Sequence, residues 1–162
     1  VDQVPEIHLC QAAGEGKKMA KATIFCNDLL KLIFNATAIA NIADNAASSP
    51  VTNLYLSLHT ADPGIGGAQT TNETAYTNYA RVAVTRNSGG WTVTSNSAAN
   101  TALAQFPQCG LTPGAAITHV AIGTALSGAG KVLYAGALTA SLAVANLIQP
   151  QFSAAALTAT ET

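Results

Sequence analysis

The residues best able to do chemistry are three histidines, His8, His59 and His119, with Asp62 and Glu73 as further candidate metal ligands. His59 and His119 both fall in segments that alternate like β-strands. Specific metal motifs space their ligands two or four residues apart, so that one face of a strand or helix presents them together. No pair here has that spacing, so a strand histidine bonded to backbone is the simpler reading, and no metal is expected. A calcium role for Asp62 competes with its place in Asp62-Pro63-Gly64, where a turn already accounts for all three residues.

Gly123 to Val132 superficially resembles a phosphate-binding loop. Counting back from Gly130-Lys131, however, Ala125 stands where the first glycine belongs, and Val132 replaces the hydroxyl residue that would hold magnesium. The segment also reads strand-turn-strand, without the helix whose N-terminus would face a phosphate. A glycine-rich hairpin turn is the reading that remains. No G-x-S-x-G is present, the Ser, Cys and His residues form no readable triad, and the scattered acids nominate no glycosidase pair. Asn35-Ala-Thr37 and Asn72-Glu-Thr74 match the glycosylation sequon, and with no basic-then-apolar pattern read near Val1 a chance match is the expectation. Neither a catalytic residue nor a cofactor is expected.

The elements that must position these residues centre on Leu54 to Gly64. Leu54, Leu56 and Leu58 alternate with Tyr55, Ser57 and His59, the period of a strand with one face in a core, and Asp-Pro-Gly stops it. Upstream, Asn27-Asp28 can cap a helix, and Leu29, Leu32, Ile33, Ala36, Ile39, Ala40 and Ala43 recur every three or four residues. That spacing predicts a helix over 27–45. Downstream, strands are expected at Tyr79–Arg86, Trp91–Thr94, Leu103–Phe106, Ile117–Gly123, Lys131–Thr139 and Phe152–Thr160, with Asn96–Thr101 as a loop. Gly, Pro, Asn or Ser separates most of them. About seven strands so spaced predict a mainly β protein: an antiparallel β-sandwich, jelly-roll-like, with one N-terminal α-helix packed on it.

Between the first two strands, Ile65 to Asn78 forms a polar stretch longer than most connections, expected to be a working or interface loop. Thr70, Asn72, Tyr76 and Tyr79 are the candidate contact residues of this loop and its exit. Tyr55, Tyr76, Tyr79 and Trp91 are the candidates for stacking on a sugar, although such aromatics are more often core.

Composition sets the remaining bounds. Charged residues make up 9% of the 162, against about 25% in an ordinary globular protein. A surface of Thr, Ser, Asn and Ala suits packing against neighbours, so self-association is expected. The net charge of −1 gives no electrostatic case for nucleic acid, because the Lys17, Lys18 and Lys21 cluster has few basic companions. Cys10, Cys26 and Cys109 form neither a disulfide framework nor a zinc site, and Cys26 and Cys109 read as small buried hydrophobes. No apolar run reaches the length of about 20 residues that spans a bilayer as a helix. Residues 1–18 differ from the rest and read as an N-terminal arm or a translated leader, with a single domain over 19–162 beginning at Met19.

Taken in order, Leu54–Gly64, Tyr76–Val84, Trp91-Thr-Val93, Thr118–Thr124, Ser127–Gly130 and Leu133–Gly136 resemble a family of small virion proteins from tailed bacteriophages and prophages, commonly labelled tail-fibre-like. The resemblance covers about Asn27 to Thr162. It implies a non-enzymatic structural role on the outer surface of the particle, with assembly in the bacterial host cytoplasm. Capsid decoration or cement against the major capsid protein is the first expectation, ahead of a tail or fibre role and a host-surface glycan-binding module. A homodimer or homotrimer is the expected state, with no membrane or nucleic-acid partner.

Overall fold

The computed structural model describes residues 23–39, 51–111 and 114–161. Among them are one helix, α1 (Thr23–Asn35), and nine strands: β1 (Asn53–His59), β2 (Val82–Thr85), β3 (Trp91–Thr94), β4 (Ser97–Asn100), β5 (Ala104–Gln105), β6 (Ile117–Gly123), β7 (Val132–Leu142), β8 (Gln151–Phe152) and β9 (Thr158–Thr160). They form a four-stranded sheet in the order β2-β1-β6-β7, a three-stranded sheet β3-β4-β9 and a two-stranded ladder β5-β8. All pairings are antiparallel. The result is the expected β-sandwich-like fold with a single short helix.

Leu54, Leu56 and Leu58 enter the core from β1, where they meet Trp91, Phe106, Ile117 and Leu157. Leu30 and Phe34 come from α1, which packs on β3 and β4. The Phe34 ring meets Trp91 edge-on, with centroids 4.6 Å apart. Each fully buried large side chain of this kind contributes about 1.5–3 kcal/mol relative to exposure, so β1 and this aromatic pair anchor both layers.

The helix differs from the expected 27–45 at both ends. It begins at Thr23, with Asn27 and Asp28 inside it, and stops at Asn35. Ala36 takes φ +55°, which breaks the helical repeat and leaves Ala36 and Ile39 outside it; residues 40–45 lie outside the described residues. The stop has a physical cause in Arg86. Its Nε donates to the Ile33 carbonyl and its Nη2 to the Leu32 carbonyl, each at 2.5 Å. A cation on the free carbonyls of a helix C-terminus satisfies them and complements the negative end of the dipole.

The strand expectations need four corrections. The Tyr79–Arg86 strand is only Val82–Thr85, because Tyr79 and Arg81 turn to hold other parts of the chain. Asn96–Thr101, expected as loop, contains β4, whose register Trp91↔Asn100 to Thr94↔Ser97 closes a hairpin through Ser95 at φ +55°. The last expected strand is two, β8 and β9, which pair with different partners. Leu103–Phe106 shortens to Ala104–Gln105.

Replacing Arg86 by Met keeps much of the side-chain bulk and removes the cap. Urea denaturation is expected to show a loss of about 1–2 kcal/mol, with the helical circular-dichroism signal falling at lower denaturant than in the wild type.

Candidate functional site

β1 departs from the sequence expectation in one consequential way: its second face is buried too. Ser57 and His59 are both fully inaccessible. The cover is the chain's own loop, residues 60–81, folded back across the sheet. β2 pairs with β1 only from Asn53 to Leu56, so the ladder beyond Leu56 is vacant on that side. The loop fills the vacancy. Thr74 N–H donates to the Leu58 carbonyl at 2.9 Å, and Leu58 N–H donates to the Tyr79 hydroxyl at 3.1 Å.

Buried polar groups here find partners, as burial requires. His59 Nδ1 lies 2.9 Å from the Thr71 carbonyl, and a carbonyl only accepts, so Nδ1 carries the proton. Nε2 is then the acceptor for the Ser57 hydroxyl at 2.9 Å. The pair has the atoms of a nucleophile and its base, but both are sealed from solvent and no carboxylate orients the ring. Burial pushes the His59 pKa below its usual value, partly offset by the Thr71 carbonyl and the Glu73 charge.

Arg81 holds the loop down. Its Nε and Nη2 donate to the two Glu73 carboxylate oxygens, both at 2.7 Å, in a bidentate pair. Its remaining donors reach the Ala125 carbonyl at 2.9 Å and the Gly128 carbonyl at 2.8 Å. The Glu73 hydrogen bond, ahead of desolvation, raises the Arg81 pKa. Tyr79 donates its hydroxyl to Glu73 at 2.8 Å, and burial raises its pKa strongly. The segment Gly123–Val132 is thus the β6–β7 hairpin, with carbonyls turned toward a cation. That polarity is the opposite of a phosphate cradle, which presents N–H groups.

Gln69 forms the second fastening. Its backbone N–H donates to the Gly130 carbonyl at 2.8 Å, and its side-chain Oε1 accepts from Ala125 N–H at 2.9 Å. A Cβ on Gly123 would lie 2.1 Å from the Gln69 side chain, and one on Gly130 would lie 2.2 Å from it. Two of the hairpin's glycines are therefore glycine because a buried glutamine occupies their space.

Of the expected contact residues, Thr70 and Asn72 are exposed on this loop, Asn72 at φ +55° with its side chain donating to the Asp62 carbonyl. Tyr76 lies beneath, buried, donating to the Pro107 carbonyl at 2.9 Å; burial pushes its pKa up to about 12. Tyr79 is half-buried and stacks near Phe106. Trp91 is in the core, and Tyr55 stays half-exposed. Asp62 closes the turn after β1 through Oδ1 and Gly64 N–H, at 2.8 Å. Sequence reasoning missed Ser57, Gln69 and Arg81. The available signal was the scarcity of charge: in a chain with seven Lys and Arg, each cation has a strong chance of a fixed partner.

The described chain is thus a β-sandwich-like module whose central polar groups are sealed by its own loop. The family model described as Podophage GP4 fiber I protein gp80 matches residues 23–160, and the chain belongs to that family of phage fibre structural proteins. No curated protein matches it.

Two outcomes test this geometry. Gly123→Ala is expected to cost about 1–3 kcal/mol by overpacking, and less than half of that in a Gln69→Ala background, measured as a double-mutant cycle by denaturation. For His59, the pKa depressed in the folded state means that the unfolded chain binds the proton more readily. Stability is therefore fully present above about pH 6.5 and declines as pH falls below it. The thermal midpoint should fall from pH 7 to pH 5, and fall less in His59→Gln.

Proposed function

We propose that this chain is a non-enzymatic fibre subunit of a tailed-phage virion, working by contact with other virion proteins and with copies of itself. The observation that carries the reading is the match to the fibre family over 23–160, nearly all of the described fold. The geometry agrees. The pair of side chains most like a catalytic couple, Ser57 and His59, has no route to a substrate. Among the described residues, no three His, Cys, Asp or Glu side chains gather as metal ligands, and no helix is long and apolar enough to cross a membrane.

The loop over β1 is the contact element for a neighbouring virion protein. Thr70 and Asn72 are its accessible positions, while Tyr76 and Tyr79 hold its shape from below. Clamping by Arg81 and Gln69 presents these positions without the entropy that a free loop loses on binding. A sugar-stacking role has less support, since the Trp91 and Tyr76 rings are turned into the core. Capsid decoration against the major capsid protein is the second reading, and the family description favours the fibre over it.

Immunogold electron microscopy of intact particles, with antibody raised to this chain, is expected to label a few sites at the tail or its fibres. Label spread over the shell would replace the fibre role with decoration, and unlabelled particles would overturn the virion assignment.

A further inference from the structure

We infer that the ribbon carrying Leu111, Leu147 and Ile148 is a self-association surface, meeting the same ribbon of a second copy about a two-fold axis. The ribbon is residues 104–111 beside 145–152, and it prolongs the β5–β8 ladder. Phe106 N–H donates to the Pro150 carbonyl, Cys109 N–H to the Ile148 carbonyl and Leu147 N–H to the Cys109 carbonyl, each at 2.9 Å. Leu111 is 86% exposed, Leu147 66% and Ile148 40%. Three of the eight exposed large apolar side chains among the described residues are therefore gathered on one short ribbon. Single exposed apolar residues are ordinary, but gathered ones mark a contact surface.

Leu147 adds an independent observation. It takes φ +65°, in the left-handed region that a bulky side chain rarely enters. It is the third residue of a turn closed by Ile148 N–H on the Ala145 carbonyl, a position whose positive φ ordinarily falls to glycine or asparagine. The turn is held fast: besides its bond to Cys109, the Leu147 carbonyl accepts from the Gln108 side chain at 2.8 Å. Strain of this kind persists where the surroundings over-determine it, and it gathers at sites of function. Here the fold holds a strained leucine out in solvent, where it contributes little to its own core.

The occupant follows from charge. Between Arg86 and Glu161 the sequence has one charged residue, Lys131, which precedes β7, while the ribbon's second half lies beyond the other end of that eleven-residue strand. The exposed polar side chains of the ribbon are all amides: Gln105, Gln108, Asn146, Gln149 and Gln151. A different protein is selected largely by charges set against its own, and this surface offers none. A two-fold contact sets a surface against itself, so each group near the axis must be its own complement. Apolar side chains meet that condition, and so do amides, which carry donors and an acceptor together. Carboxylates and ammonium groups fail it. An apolar centre within an uncharged polar rim is also the usual anatomy of a subunit contact.

The proposal deepens the assembly reading above and rests on it. Sedimentation velocity on the full chain is expected to show a dimer, with amide exchange at Leu111 and Leu147 slowing as concentration rises. Leu111→Lys and Leu147→Gly should each weaken the dimer by about tenfold or more. Glycine takes the positive φ without strain, so Leu147→Gly should leave the thermal midpoint of the dilute monomer no lower. A lower midpoint there would assign the leucine to the fold and overturn its contact role. A dimer that both variants leave intact, or whose protection lies elsewhere, would overturn the surface. A monomeric wild type would overturn the second copy as occupant and pass the ribbon to another virion protein. Particle labelling fails or succeeds independently: unlabelled particles with an intact dimer remove the virion role and leave this contact in place.

Discussion

Arg81 ties the loop over β1 to a hairpin more than forty residues further along the chain. Its guanidinium grips Glu73 in the loop over β1 and the Ala125 and Gly128 carbonyls in the β6–β7 hairpin, from a position just before β2. With side chains 3% and 14% exposed, the Arg81–Glu73 pair has surrendered most of its hydration. Such a pair adds little net stability over an apolar replacement, yet losing one partner leaves an uncompensated charge that costs about 3–5 kcal/mol. Its effect is therefore on specificity: the loop has one placement in which both charges are satisfied. Given that placement, Tyr79 reaches Leu58, Gln69 reaches Ala125 and His59 reaches Thr71.

This constraint separates the two kinds of surface on the molecule. Polar atoms on the loop side of β1 are consumed internally, which removes Ser57 and His59 from any encounter with solvent. The accessible surface includes Thr70 and Asn72 on the clamped loop, the uncharged β7 strand, and large apolar side chains such as Ile65, Leu111, Leu126 and Leu147. Few charges and many Ala and Thr residues describe a surface suited to being covered. A phage fibre family protein must meet other subunits, and rigid presentation lowers the entropic cost of each meeting.

Much of this was legible in the residues. The alternation of Leu54, Leu56 and Leu58 located the central strand, and Asp62-Pro63-Gly64 located its end, because both are local signals. The mainly β class followed from strand spacing. What stayed hidden is non-local. Period two says that Ser57 and His59 share a face, but nothing in it says that the chain returns twelve or more residues later to cover that face. The helix end at Asn35 depends on Arg86, some fifty residues away, so apolar spacing ran on past it. β4, Ser-Ala-Ala-Asn, has no hydrophobic alternation and exists because it pairs with Trp91–Thr94. The glycines of the β6–β7 hairpin read as turn glycines, and no local pattern shows that Gly123 and Gly130 also make room for Gln69.

The central claim is that the loop over β1 is part of the folded core. Residue-resolved native-state hydrogen exchange tests it most directly. The account predicts that the amides of Gln69 and Thr74, bonded to Gly130 and Leu58, exchange only with global unfolding, as slowly as those of Leu56 in β1. In Arg81→Met they should move to a faster, sub-global opening while Leu56 remains in the slow class. Exchange of Gln69 and Thr74 in the wild type at the rate of exposed turns such as Ser88 would contradict the account.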